Sequence, residues 1–171
     1  MYYQSKFKYI NGKAAHKSEH ITNIRNLSAM WPSECNGFHV NVKRAAFMLA
    51  GSSGQIGIVE LSKPGRLPDT SLPSVINKSK VADFAWDPFS DETMACACDD
   101  GCVRIWKIPS GDGLVDSVDQ PYMEIKAHAE RLGCLAFHPY ARNVLATASY
   151  DRNVRLWNFE SIETSLVGFK T

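Results

Sequence analysis

Nowhere does this chain carry an apolar run long enough to cross a membrane as a helix. Its longest stretch free of charge, Ala45 to Val59, falls short of the roughly 18 residues a span requires and is broken by Gly51-Ser52-Ser53-Gly54. No apolar block follows a basic start in Met1-Tyr2-Tyr3-Gln4-Ser5-Lys6, so nothing there resembles a signal peptide. Neither sign of charge is in excess: 19 basic against 18 acidic residues leave a net of +1, which excludes a nucleic-acid binder of the strongly basic kind. Cysteine is scarce and odd in number, five in 171 residues, too few for a disulfide scaffold and in keeping with reduced cytosolic thiols. Catalytic patterns are missing too. There is no Ser/His/Asp order or pair of carboxylates in a plausible cleft, and Gly51-Ser52-Ser53-Gly54 lacks the Lys-Ser/Thr ending of a phosphate loop. We therefore expect no catalytic residue and no cofactor. What remains is an ordinary globular composition, 44% hydrophobic, 11% aromatic and 22% charged, of a length that fits about one domain.

Charge is unevenly placed. Residues 1–50 hold seven basic groups (Lys6, Lys8, Lys13, Lys17, Arg25, Lys43, Arg44) against Glu19 and Glu34, whereas the remainder is net negative. Such polarity suits an acidic partner met by the N-terminal part; the plain alternative is a solvated face.

The strongest internal signal is a repeat. Shifting the chain by 51 residues lays Trp86-Asp87-Pro88 on Phe137-His138-Pro139, Ala95–Cys98 on Ala146–Ser149, and Asp100–Trp106 on Asp151–Trp157 without a gap. Within each copy the period is two: Val103 and Ile105 alternate with Arg104 and Trp106, and Asp100-Gly101 sits between two such runs as a hairpin turn. Each copy reads as strand, loop, strand, tight turn and strand, with room for a fourth. A more divergent unit precedes them, with apolar runs at Arg44–Ala50 and Ile56–Leu61. Helix is confined to at most about two turns around Ile21, Ile24 and Leu27, because Asn, Ser and Pro32 flank them. The expected fold is all-β: about three four-stranded blades of a seven-bladed β-propeller. We expect the N-terminal motif and the start of blade 1 in 1–30, blade 1 in 31–76, blade 2 in 77–126 and blade 3 in 127–171. Because three blades do not close a ring and His128 plus one repeat lies beyond Thr171, the chain is expected to be a fragment, short isoform or truncated gene model of a longer propeller. Its open strand edges would favour self-association.

Residues at fixed offsets show how a blade is held. His128 precedes the first strand of the last copy, Ser149 lies on its second, Asp151 in its turn and Trp157 six residues on. Together they resemble the His, Ser/Thr, Asp and Trp set of WD-repeat proteins, a buried hydrogen-bonded network. In the earlier copy Asp100 and Trp106 match, but Asn77 stands in place of His128 and Cys98 in place of Ser149, so its network should be smaller. Cys96, Cys98, Cys102, Cys134 and His138 have the residue types of a zinc site without its paired spacing, and buried thiols explain them better. Asp99-Asp100-Gly101 lacks the alternating ligands and closing Glu of a calcium loop, and so reads as a turn. Trp31, Trp86, Trp106 and Trp157 could stack bases, yet three of them fall at repeat positions that favour packing, so neither a metal nor a nucleic acid is expected.

Beyond the WD pattern, Ser5-Lys6-Phe7-Lys8-Tyr9 resembles the opening motif of coronins, which in that family adds an outer strand to the last blade. Asn23-Ile24-Arg25-Asn26-Leu27-Ser28 resembles their Asp-Ile-Arg segment, and Ala136-Phe137-His138-Pro139 through Arg142-Asn143-Val144-Leu145, Lys63-Pro64-Gly65-Arg66 and Ile108-Pro109 also fit. Gly65–Asp69 and Asp83–Phe89 are most similar to the long, tandem-propeller coronins. The resemblance implies a cytoplasmic actin-filament-binding scaffold of the cytoskeleton, with partners that extend to the branched-actin nucleating complex and microtubules and a place at the Golgi or endosomal periphery. It also implies a filament contact at Arg25, although Asn23 replaces the acidic residue that usually precedes Ile-Arg. Lys13, Lys17, Lys43 and Arg44 accompany Arg25 as the basic set for acidic actin, where arginine's planar fork suits carboxylates. The competing class is a generic WD-repeat interaction platform that does not bind actin.

Overall fold

The computed structural model describes residues 13–30, 32–111, 114, 116–161 and the backbone of 163–167. The opening motif at Ser5–Tyr9 and Trp31 lie outside these residues. A short 3-10 turn, Lys17–Glu19, leads into fourteen strands: β1 Ile21–Thr22, β2 Phe38–Val40, β3 Arg44–Met48, β4 Gln55–Glu60, β5 Gly65–Arg66, β6 Ser74–Ile76, β7 Val81–Trp86, β8 Thr93–Cys98, β9 Cys102–Lys107, β10 Met123–Lys126, β11 Leu132–Phe137, β12 Val144–Ser149, β13 Val154–Asn158 and β14 Glu163–Val167. They form three antiparallel four-stranded sheets in the orders β2-β3-β4-β6, β7-β8-β9-β10 and β11-β12-β13-β14, plus a parallel β1–β5 ladder. These sheets are blades of a β-propeller, all-β as the period of two requires. Ile21 and Ile24, the one place where a helical spacing competed, pack instead beside Leu67 over Leu49, Val59 and Leu72 on the outer side of the first sheet.

The 51-residue repeat holds down to the hydrogen-bond register. Val81 faces Cys98 and Leu132 faces Ser149; the register then slips between Val81 and Asp83 in one sheet and between Leu132 and Cys134 in the other, the same position in each repeat. A bulge re-aims the side chain beside it. Asp83, at the first of them, accepts from its neighbour Phe84 N at 2.9 Å and, across to the next sheet, from Leu135 N at 3.0 Å.

The middle sheet is buried on both faces, which accounts for its small residues. Met94, Cys96, Cys98 and Trp106 meet Ala46, Ile56, Ile58 and Val75 of the first sheet. Ala95, Ala97, Val103 and Ile105 meet Leu135, Leu145 and Trp157 of the third. Alternation therefore survives as a choice between two cores rather than between core and water. Close approach also fixes the hairpin turns. Gly101 has φ +77°, and a Cβ there would run into the carbonyl of His128; its own carbonyl accepts from Ala127 N and His128 N at 3.1 and 3.0 Å. Gly54, φ +61°, meets Ser79 in the same way. These two hairpin tips thus abut the chain entering the next sheet, where only glycine fits.

One connection was not legible from the repeat. On its way from β9 to β10 the chain returns to the first sheet: Val118 bridges Val75 in parallel, and both its N–H and C=O bond to β6 backbone at 2.8 Å.

Candidate functional site

Arg25 stands at the outer face of the first sheet, just beyond β1. The preceding Asn23 adopts a left-handed conformation, φ +67°, which short amide side chains tolerate. From there its Nδ2 donates to the Leu67 carbonyl (2.8 Å) and to Asp69 Oδ1 (3.1 Å), and its Oδ1 accepts from Arg25 Nε (2.9 Å). Asp69 Oδ1 also lies 2.5 Å from Arg25 Nη2 and 3.1 Å from Arg66 Nη2. The guanidinium, 49% exposed, is thus held on two of its three nitrogens by residues 2 and 44 positions away. Asn23 performs the orienting that an acidic residue would, through a neutral acceptor. Arg66 and Asp69 complete a site of which the sequence singles out only Arg25 and the Asn23 before it. The β1–β5 ladder, which pairs Thr22 with Arg66, brings them together.

The other basic residues do not converge on it. Lys13 and Lys17 are exposed, and Lys17 lies in the 3-10 turn at the far end of β1 from Arg25. Lys43 is half exposed and pairs with Asp91 at 3.1 Å. It precedes β3, whereas Asn26 bonds to Ala50 beyond the other end of that strand, a separation of roughly 20 Å at about 3.3 Å per residue. Arg44 is a correction. It is 1% exposed, its Nε 2.5 Å from Glu60, with Nη1 donating to the carbonyls of Asp91 (3.0 Å) and Ile108 (3.3 Å) and Nη2 to that of Pro109 (2.6 Å). A guanidinium with that many internal acceptors ties the first two sheets together and is not available to a partner.

The blade network also needs correction in one member. His128 Nδ1 lies 2.9 Å from Asp151 Oδ2, and His128 Nε2 lies 2.9 Å from Thr147 Oγ1, which in turn accepts from Trp157 Nε1 at 2.9 Å. Thr147, not Ser149, is the hydroxyl of the set; Ser149 donates instead to the carbonyls of Glu130 and Arg131. Asp151 accepts only, so the Nδ1 proton points at it, and in the neutral imidazole Nε2 then accepts from Thr147. Burial pushes the Asp151 carboxyl up, but hydrogen bonds from His128 and Asn153 outweigh it and leave it below the usual carboxylate value.

In the middle sheet the equivalent residues separate. Trp106 Nε1 donates to Asn77 Oδ1 at 3.0 Å, and Asn77 Nδ2 to the Gly54 carbonyl at 2.8 Å, so a single buried amide takes over from His128 and Thr147 and joins two sheets. Asp100 is not linked to Trp106. It caps Cys102 N and pairs with Arg104 Nη2 at 2.7 Å. Cys96 and Cys98 lie on one core-facing side of β8, and burial pushes the Cys98 thiol up to about 12. Cys134, grouped with the buried thiols from sequence, is exposed.

Comparison with known proteins adds an independent line. The model of a WD domain, G-beta repeat, matches residues 73–107 and 119–158, and that of a domain of unknown function, DUF1899, matches residues 1–66. Human Coronin-7 is 43% identical over 157 residues, 92% of this chain and 17% of that protein. Coronin-like protein crn1 of Schizosaccharomyces pombe is 31% identical over 161 residues, 91% of this chain and 26% of its own length. The chain thus spans about a sixth of the length of the first of these relatives. Among solved structures, the WD40 domain of a Toxoplasma gondii coronin superposes with a TM-score of 0.75 at 25% identity, covering 84% of this chain and 37% of that one. Identity is greater to the longer relative than to the shorter one, in line with the resemblance carried by Gly65–Asp69 and Asp83–Phe89. The matches, the three repeating sheets and the His128–Thr147–Trp157 network agree, and the chain belongs to the coronin family of WD-repeat proteins.

Proposed function

We propose that this chain works as a non-enzymatic, actin-filament-binding scaffold of the cytoplasmic cytoskeleton, with Arg25 as its central contact. The observation that carries the reading is the positioning of Arg25: half exposed, yet anchored by Asn23 and Asp69, with Arg66 on the same carboxylate. A side chain already ordered loses less entropy on binding, and an arginine at the centre of an interface is worth about 2 kcal/mol or more. Lys13, Lys17 and Lys43 lie apart from it and act at longer range, raising the association rate in a salt-dependent way. The names of the relatives support the family context from which actin is chosen as the partner.

Co-sedimentation with actin filaments tests this. Pelleting should weaken with added salt and fall several-fold for Arg25→Asp at unchanged circular dichroism. A pellet fraction indifferent to both refutes the reading and favours a WD-repeat platform without direct actin binding. Links to the branched-actin nucleating complex, to microtubules and to Golgi or endosomal traffic belong to the same proposal. Pull-down and microtubule pelleting check them, and sedimentation velocity checks self-association through open sheet edges.

A further inference from the structure

Beside Arg25 the surface opens into a pocket of about 240 Å³, lined at its polar positions by Arg25, Asn26, Gln55, Ser71, Ser74 and Ser117, with apolar residues completing it. It is assembled from separate pieces of chain. Arg25 comes from the segment after β1, Gln55 opens β4, Ser74 opens β6, and Ser117 arrives on the returning connection that Val118 fastens to β6. Ser74, 2% exposed, shares a hydrogen bond of 2.9 Å with Ser117 Oγ. Whichever hydroxyl donates, the other keeps its own proton to give. Among the described residues the guanidinium is the one charged group in the lining, and no carboxylate belongs to it. Asp69 grips the same guanidinium from outside that lining, so Arg25 already holds one carboxylate in a fixed geometry.

We propose that this pocket is a subsite for a single carboxylate side chain, Asp or Glu, presented by an acidic segment of a partner protein. The proposal rests on Arg25 being a contact residue and adds where the partner's charge goes. Arg25 and Arg66 share the one Asp69 carboxylate, which leaves a net charge of +1 that matches a single carboxylate, whereas a phosphate of about two negative charges would be left half compensated. The volume also suits one side chain, below the roughly 300–1,000 Å³ of small-molecule and cofactor sites. Serine hydroxyls and the Gln55 amide supply neutral donors around the charge, as carboxylate recognition requires.

The test uses the 171-residue chain and an end-blocked tetraglutamate peptide, with tetraglutamine and inorganic phosphate as comparisons. We expect the glutamate peptide to shift the amide resonances of Ser71, Gln55 and Ser117, and tetraglutamine to shift none. Ser117→Asp, at an exposed position, places a carboxylate of the chain's own in the pocket and leaves Arg25 intact; it should weaken the peptide about ten-fold, and Gln55→Glu, entering from another strand, should do the same. Unchanged peptide affinity in both variants, or stronger binding of phosphate than of the peptide, overturns the proposal. The filament reading is separable from it. Pelleting that falls with Arg25→Asp while Ser117→Asp and Gln55→Glu both leave peptide affinity unchanged removes the pocket and keeps the filament contact. Pelleting unaffected by Arg25→Asp, with peptide binding lost in Ser117→Asp, does the reverse.

Discussion

Replacing Thr147 by valine isolates the hydrogen-bond chain of the third sheet, because the side chain keeps its shape and loses only the hydroxyl. Thr147 is 1% exposed, and its oxygen is the hydrogen-bond partner of both Trp157 Nε1 and His128 Nε2. In the valine variant the indole N–H and the imidazole nitrogen stay buried with nothing to pair with, at about 1–3 kcal/mol each, so the sum is roughly 2–6 kcal/mol. Two controls set the scale. Thr147→Ser keeps the hydroxyl and gives up one methyl, about 1 kcal/mol. Ser149→Ala removes a hydroxyl that bonds only to backbone, donating to the Glu130 and Arg131 carbonyls and accepting from Asp151 N, at a partly exposed position, also about 1 kcal/mol or less. Urea unfolding followed by tryptophan fluorescence gives all three, and the valine variant should lower the midpoint at unchanged slope. A loss within about 0.5 kcal/mol of zero, the range of an ordinary surface change, would refute the assignment of Thr147 as the shared hydroxyl, as would a larger loss for Ser149→Ala.

Truncating Arg44 to alanine should cost about 3–5 kcal/mol, because Glu60 and three backbone carbonyls lose their buried partner; a thermal melt showing less than about 1 kcal/mol would contradict its role as the tie between sheets. Asp151 gives a pH signature of definite sign. Its folded pKa is depressed, so its contribution is complete above the unfolded value of 3.8 and is lost as pH falls through the lower folded value. The stability difference between the native chain and Asp151→Asn should therefore be flat at neutral pH and shrink in acid, and parallel acid-unfolding curves would disprove it. Asp83, raised by burial despite hydrogen bonds from Leu135 and Phe84, titrates with the opposite sign and is common to both proteins, so it cancels in that difference.

Much of the candidate site was beyond a reading of one sequence. Asn23 and Asp69 meet across 46 positions with no repeat to announce the contact, and Arg66 joins them only through a two-residue parallel ladder. Adjacent basic residues also diverge in fate: Lys43 remains in the turn and reaches solvent, while Arg44 is the first residue of β3 and turns inward to Glu60. The choice between Thr147 and Ser149 shows where periodicity stops. Both lie on the same face of β12, two residues apart, so alternation admits either; the depth to which His128 reaches selects Thr147.

By itself the sequence determined what is local and repeated: antiparallel strands at period two, hairpin turns at Asp100-Gly101 and Asp151, and a 51-residue unit whose copies share even their register slip. Such features follow from backbone sterics and from which residues fit a pleated surface, and every copy states them again. Tertiary structure alone decided which hydroxyl closes the buried network, which arginine stays exposed and which is buried, and that residues 116–118 return to wall a pocket beside Arg25. Those outcomes depend on distances between segments far apart in the chain, and hydrogen bonding and burial are settled by that proximity.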